Sequence, residues 1–368
     1  MFGFGAAEAP KQTKVRSSER RTRMRLLMKP RGGQKFAHKT MFPCLSPASM
    51  VTPMRPTLLA LLACATAMAA DIKVTPNEAV DIAQDGKVVA RFMMSHDVST
   101  PAKRLDNYKP YLHVFDPSGA LRLTKGPGFN FTHHRGIMLG FAKITVDGKT
   151  FDRWHMTKGD QVVTAVQPTA DGFIAAIDWQ GATAQDKPIL TEQRAFTFTK
   201  PAAPFYVGIE MKSTLKPDHG EAKIDGDPEH AGAQFRPSEK IDGMKTTYVY
   251  PGKDVLIHKV RDLTWVAEIF TVEGKTFTAL LLNHPSNPKD TAFSAYRDYG
   301  RFGAFPKGVA TPESPFKLRY QWLIAEGDVR DAAAFQQAYN AFAGANDPTP
   351  SVTVMLAEQP KPKAPAKK

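Results

Sequence analysis

From Ile72 onward apolar and polar residues alternate in short runs broken by Gly, Pro and Asp, a pattern that predicts strands rather than helices. Phe205, Val207, Ile209 and Met211 share one parity, and Tyr206, Gly208, Glu210 and Lys212 the other. This is the pattern of an antiparallel strand with one buried face. Comparable runs cover residues 88–94, 111–115, 137–146, 173–179, 191–198, 266–272, 277–282 and 318–324. Val146-Asp147-Gly148-Lys149, Ala170-Asp171-Gly172 and Val272-Glu273-Gly274-Lys275 have the chemistry of hairpin turns. Helical spacing emerges once, over 329–342, where Phe335, Tyr339 and Phe342 form a stripe behind Asp328 or Asp331 as cap. Many consecutive strands closed by one helix predict an all-β fold, a large antiparallel β-sandwich forming a single domain over 71–345. The Pro/Ala/Lys-rich residues 346–368 are expected to be a disordered tail.

Composition changes the picture at the N-terminus. Residues 54–70 run from a basic start through an apolar centre to Ala-Met-Ala-Ala, the layout of a secretory signal. The run is shorter than the roughly 20 residues a spanning helix needs. Leu61-Leu62-Ala63-Cys64 also resembles a lipoprotein cleavage box, although the apolar run before Cys64 is short for one. A signal works only at an N-terminus, so residues 1–53 are expected to be a disordered upstream extension, with Met50 or Met54 as the true start. The mature chain is therefore expected in the periplasm or outside the cell.

Charge then removes one class of partner. Of the formal net charge of +13, residues 1–49 supply +9 through eleven Lys or Arg against two Glu, and Arg55 adds +1. Lys361, Lys363, Lys367 and Lys368 add +4, which leaves residues 71–360 near −1. A nearly neutral core lacks the basic footprint that nucleic acid demands. The two cysteines, Cys44 and Cys64, precede the expected mature start. Disulfide and thiolate chemistry are then excluded, and His, Arg and carboxylates remain as the working groups.

The densest chemistry lies in Gly126-Pro127-Gly128-Phe129-Asn130-Phe131-Thr132-His133-His134-Arg135-Gly136. If the extended run 137–141 begins here, His133 and Arg135 face one way and His134 the other. The long polar segment 216–232 and the segments 283–288 and 296–301 are the other loops expected to carry function.

At these residues the chain resembles a bacterial family of exported proteins labelled PmoA-like, or "methane oxygenase PmoA". The matching pieces are His133-His134-Arg135-Gly136, Phe151-Asp152-Arg153-Trp154-His155, Gly232-Ala233-Gln234-Phe235-Arg236, and His284-Pro285-Ser286-Asn287-Pro288 with Arg297-Asp298-Tyr299-Gly300. The methane label does not follow from the sequence, because that enzyme subunit is an integral membrane protein and no spanning segment is present. The resemblance implies an exported β-sandwich related to the galactose-mutarotase supersandwich and associated with carbohydrate degradation.

These blocks supply what a sugar site requires: an acid or base, planar donors, and an aromatic face. His133, Arg135, Arg236 and His284 are the expected catalytic residues, with His133 as base and Arg135 or Arg236 as oxyanion stabiliser. His134, Trp154, His155, Gln234, Asn287, Arg297 and Tyr299 are expected to bind substrate. The bland alternative makes Trp154 a core residue and pairs the arginines with Asp152, Glu239 and Asp298. A rival site would use imidazoles from His113, His133, His134, His155, His230 and His284 to hold a divalent metal, although no tight ligand spacing occurs. The leading expectation is a carbohydrate lyase, hydrolase or epimerase, the alternative a non-catalytic carbohydrate-binding sandwich. Neither the sugar nor the oligomeric state is legible.

Overall fold

The computed structural model describes residues 66–67, 71–183, 186–227 and 229–359, all within the compact unit Leu61–Lys368. The upstream extension, most of the leader-like run 54–70, both cysteines and residues 360–368 lie outside the described residues. Two large antiparallel sheets face each other. In the ten-stranded sheet the order is Val352–Leu356, Thr247–Pro251, Trp265–Val272, Lys275–Asn283, Phe316–Glu326, Phe205–Lys216, Leu190–Lys200, Gly172–Trp179 and Gln161–Pro168, with Thr66–Ala67 also pairing on Leu190–Lys200. The eight-stranded sheet runs Ala292–Ser294, Phe302–Phe305, Ala231–Phe235, Ile137–Phe141, Tyr111–Val114, Lys87–Met93, Ala79–Gln84 and Asp71–Thr75. Four short strands, Gly308–Ala310, Ala222–Asp225, Lys143–Val146 and Lys149–Phe151, form a small third sheet.

The main core lies between the large sheets and unites apolar side chains of both. Phe92 of one sheet meets Phe173 and Phe196 of the other at 5.1 and 5.7 Å between ring centroids, and Phe235 meets Phe270 at 5.8 Å. The all-β sandwich expected from the alternating runs is the fold found. The strand Phe205–Lys216 buries Val207, Ile209 and Met211 in this core, but a bulge between Phe205 and Val207 turns Phe205 to the opposite face.

That opposite face of the ten-stranded sheet is covered by the helix Ala332–Ala343. Asp331 caps it by accepting from the amides of Ala333 and Ala334, as the sequence predicted for one of two candidate caps. Phe335, Tyr339 and Phe342 pack on Trp265, Leu280, Leu282 and Leu323. Two expectations need correction. A short helix, Pro101–Asn107, forms behind the Thr100 cap. Residues 346–359 are not a disordered tail, because Val352–Leu356 pairs along Thr247–Pro251 and completes an otherwise open sheet edge. Its apolar alternation, Val-Thr-Val-Met-Leu, was masked by the Pro, Ala and Lys around it.

The predicted single strand 137–146 is two strands in different sheets, Ile137–Phe141 and Lys143–Val146. All five residues of the first are buried, because both of its faces are covered. Ile137, Leu139 and Phe141 enter the main core, while Met138 lies under Trp154 and Tyr111 on the other face of the sheet. That second face is where the polar loops converge.

Candidate functional site

The site begins at Gly140. A Cβ there would lie 2.6 Å from the Arg153 carbonyl and 3.4 Å from Trp154 Cα, so the missing side chain is what lets the turn 152–155 rest on the sheet. Asp152 folds that turn. Its Oδ1 accepts from the amides of Trp154 and His155, both at 2.9 Å, and its Oδ2 lies 2.7 Å from His155 Nδ1. Arg153, buried beneath, anchors the turn by donating to the carbonyls of Asp152, Lys158, Gln180 and Gly181.

A second carboxylate–imidazole pair repeats the arrangement three residues apart. Both oxygens of Asp227 lie 2.7 Å from His230 Nδ1. A carboxylate on Nδ1 fixes the proton there and leaves Nε2 as the exchanging nitrogen.

His133 and His134 complete the group. The His133 ring centroid lies 4.3 Å from that of His134 and 4.5 Å from that of His155, and His155 lies 4.9 Å from His230. Trp154, fully buried, touches the edges of His134 and His230 at 5.8 and 6.0 Å. Four imidazoles therefore surround one indole on the outer face of the eight-stranded sheet.

The loop that carries His133 and His134 does not follow strand alternation. Phe129 and Phe131 have φ of 55° and 56°, and the strand begins only at Ile137. Both histidines consequently face the same cluster, which corrects the expected division between them. The loop is held from below by Lys125, whose Nζ donates to the carbonyls of Gly126 at 3.0 Å and Gly128 at 2.6 Å.

The surroundings of His133 and His134 keep those two rings neutral. Burial lowers His133 to about 2, and the proximity of Lys109, His155, His230 and Arg301 further disfavours a proton on it. His134 is pushed well below its ordinary value by burial and then by Arg301. Lys109, buried, donates to the Trp154 carbonyl at 2.8 Å, and burial drives its own ammonium form strongly down. Burial would raise the Asp152 carboxyl, but hydrogen bonds from the His155 ring and the two amides hold it below its usual range. Asp227 is held low in the same manner by the His230 ring. His133 Nε2, both nitrogens of His134 and Trp154 Nε1 are buried with no protein partner. Buried polar atoms are rarely left so, and a cluster of them invites a ligand.

A cavity of about 820 Å³ adjoins the cluster, lined by Phe129, Phe131, Arg236, Arg297, Tyr299 and Glu358 among others. Phe131 and Tyr299 form the shared wall: they lie 5.4 Å apart and stack toward His134 at 5.3 and 6.2 Å. The Arg236 guanidinium sits 4.8 Å from the Tyr299 ring and donates to the carbonyls of Tyr299 and Pro237, while its buried Nε has no partner. Gly300, with φ of 76°, makes the sharp step from Tyr299 to Arg301, where a Cβ would meet buried Glu268 at 2.3 Å. Arg297 pairs with Glu229, which also accepts from Tyr296 at 2.7 Å and lies 3.9 Å from Arg301.

The structure thus brings together His133, His134, Trp154, His155, Tyr299, Arg236 and Arg297. Gln234 lies in the sheet nearby, buried, donating to Ala231 O at 3.1 Å. Three expected residues are elsewhere. The Arg135 guanidinium is taken up by the carbonyls of Thr132, Asp106 and Leu105 and lies 4.1 Å from the Tyr108 ring, so it fastens the loop to the short helix. His284 packs on Phe342 at 5.2 Å and bonds Ser286 and Arg319, on the helix-covered side of the other sheet. Asn287 bonds Asn283 and the Arg319 backbone and closes that same loop. The arginine pairing expected in the bland alternative is also redrawn: Glu239 pairs with Arg122, and Arg297 with Glu229.

Lys109, Glu229 and Arg301 were not singled out from the sequence. Glu229 adjoins His230 in the long polar loop and Arg301 follows Gly300, which are usable signals, whereas Lys109 carries none. The divalent-metal site finds little support in the geometry. Among the described residues no three His, Cys, Asp or Glu side chains are placed to hold an ion, and Arg301 brings positive charge to His133 and His134. His113 lies apart, bonded to Thr124 at 3.0 Å.

Residues 79–340 match the family described as "Family of unknown function (DUF6807)", and the chain belongs to that family. No curated protein matches the sequence. Among solved structures the chain is similar to a "putative mutarotase (YeaD)" from Salmonella typhimurium, at 11% identity and a TM-score of 0.30, over 70% of this chain and 94% of that one. No helix among the described residues is long and apolar enough to cross a membrane.

Proposed function

We propose that this protein is a carbohydrate-active enzyme that moves protons on a sugar or sugar derivative, as an epimerase or lyase, with His155 and His230 as its acid/base groups and His133 as the neutral imidazole that holds the reacting group beside them. The observation that carries the reading is the pair of carboxylate-oriented imidazoles, Asp152–His155 and Asp227–His230, converging on a third imidazole whose buried Nε2 is unpartnered. The carboxylate on Nδ1 leaves Nε2 of His155 and of His230 to take and return the proton. His133, kept neutral by burial, can hydrogen-bond the reacting group, and the Arg301 cation beside it can stabilise the oxyanion that results. Classical glycoside hydrolysis suits the site less well, since it needs two free carboxyl groups flanking the bond. Asp152, Asp227 and Glu229 are each committed to an imidazole or a guanidinium. An exported setting, and kinship with the PmoA-labelled proteins, belong to the same proposal and rest on the leader-like run and the shared motifs.

The test is solvent isotope exchange. The full chain is incubated in D₂O with aldoses, uronic acids, oxidised sugars and lactones, and carbon-bound protons are followed by NMR. Loss of one C–H signal is expected, slowed about 10²-fold or more in His133→Ala, His155→Ala and His230→Ala. Exchange that persists in all three variants would overturn the assignment. Saturable sugar binding without any exchange would instead support the non-catalytic reading, which the exposed Phe129 and Phe131 favour.

A further inference from the structure

The proposed chemistry uses the imidazole cluster, yet a cavity of about 820 Å³ lies beyond the Phe131–Tyr299 wall and is not explained by it. Phe129 lines this volume and is 74% exposed, the most exposed large apolar side chain among the described residues. It is not loose. Its backbone is in the left-handed region at φ 55°, costly for a bulky residue, and the next residue but one repeats the feature at 56°. The loop is fixed by Lys125 below and by the Gly128 amide donating to Thr132 Oγ1 at 3.1 Å. Strain held in place beside a cavity, with an aromatic ring left in water, calls for a ligand that covers the ring.

The remaining walls say what kind of ligand. Lys125, Arg236 and Arg297 line the cavity together with Glu239, Asp298 and Glu358, so its charges balance. A cavity with planar donors and acceptors of both signs suits hydroxyl groups, while Phe129 and Phe131 suit the flat apolar face of a ring. Arg236 is 4% exposed and its Nε has no protein partner, which leaves a buried donor for a ligand oxygen. A volume of about 820 Å³ is also more than a single sugar ring fills.

We infer that the cavity beside Phe129 is a second subsite, and that the substrate is a glycoside with at least two rings: one reaches the imidazole cluster and the next lies against Phe129. This rests on the proposed proton-transfer reading for the first ring only. Phe129 is a positioning residue, since it lines a cavity that none of the imidazoles lines. Phe131 stays as the partition, because its ring is already engaged by His134 and Tyr299.

The experiment compares matched probes. Dissociation constants are measured by calorimetry on the full chain for methyl and phenyl glycosides of glucose, galactose, mannose and xylose, in parallel with the deuterium exchange described above. In the wild type the phenyl member of the best-bound pair is expected to bind about 5-fold tighter or more, the scale of one aromatic contact. Phe129→Ala should bring that ratio to near one while the methyl glycoside binds as before, and Phe129→Tyr should restore it. Phe129→Gly, which accepts the left-handed backbone, should lose the preference yet melt no lower than wild type, an outcome a merely structural phenylalanine would not give. A wild-type ratio near one for every pair, or a preference that survives in Phe129→Ala, overturns the subsite. If methyl glycosides bind or exchange but no ring preference exists, only the subsite fails; if no glycoside binds and nothing exchanges, both readings fail.

Discussion

His155 Nδ1 lies 2.7 Å from Asp152 Oδ2, and the other oxygen of the same carboxylate receives the backbone amide of His155 itself. One aspartate thus sets both the ring's tautomer and the turn on which the ring stands. Asp152→Asn should preserve the turn, since the amide oxygen still accepts both amides, but it no longer holds the Nδ1 proton as a carboxylate does. The expected result is a fall of roughly 10²-fold in turnover, with a displaced pH–rate profile and a melting temperature near wild type. An unchanged profile would reduce Asp152 to a turn former.

The corrected position of His284 supplies a contrast. Its ring contacts Phe342 and Arg319 rather than the imidazole cluster. His284→Ala is expected to leave exchange within about twofold of wild type and to cost on the order of 1 kcal/mol of stability, read by urea denaturation. A loss of activity without loss of stability would return His284 to the site.

Gly140 makes a prediction about geometry rather than chemistry. In Gly140→Ala the new methyl meets the Arg153 carbonyl, a backbone atom that moves only with the turn 152–155. Overpacking of this kind costs about 1–3 kcal/mol. Thermal denaturation checks the cost, and a shifted tryptophan emission, together with slowed exchange, checks that Trp154 and His155 have moved.

The periodic parts of this fold were legible directly and the constellation only in part, for a physical reason. Alternation in Phe205 to Met211 reports burial directly, and the stripe Phe335, Tyr339, Phe342 reports the helix in the same way. A site on the outer sheet face leaves no such period: His133, His155 and His230 meet only because three loops fold back over Met138 and Gly140. Motif blocks found His133, His155 and Arg236. The same cues misplaced Arg135, because a guanidinium beside a turn can equally well gather backbone carbonyls. The C-terminal strand was missed since five alternating residues were outweighed by surrounding Pro, Ala and Lys.

That strand can be removed. The amides of Ala357 and Glu358 donate to the carbonyls of Thr246 and Tyr296, so the segment holds one flank of the cavity as well as the sheet edge. Truncation after Ser351 is expected to destabilise the fold by about 2 kcal/mol or more, a shift of several degrees in melting temperature, and to weaken glycoside binding. A truncated chain that melts and binds as the full chain does would restore the view of residues 346–368 as a dispensable tail.

The buried imidazoles fix how stability responds to acid. His113 is lowered to about 3 by burial and then by Arg122 and Arg91, His133 to about 2, and His134 lies well below its ordinary value. In the unfolded chain each titrates near 6.5. Between pH 6.5 and about 4 the unfolded state therefore binds up to three protons that the native state refuses, and stability falls as pH falls. Lys109, also lowered by burial, acts in the same direction wherever the pH exceeds its folded value. Glu268, raised by burial, acts oppositely, because above about pH 4.5 its unfolded form ionises while its folded form keeps the proton. Three imidazoles outnumber that single carboxyl between pH 6.5 and about 4, so they decide the sign. Asp152, Asp227 and Glu229, held below their usual range, withdraw their contribution only below about pH 4 and deepen the fall without starting it. Urea unfolding at pH 7, 6 and 5 should show a steady loss, with a slope smaller by about one proton in His113→Gln. Stability that rises on acidification over this range, or a slope unaffected in that variant, would mean that the buried imidazoles, His113 first, take up protons in the native protein.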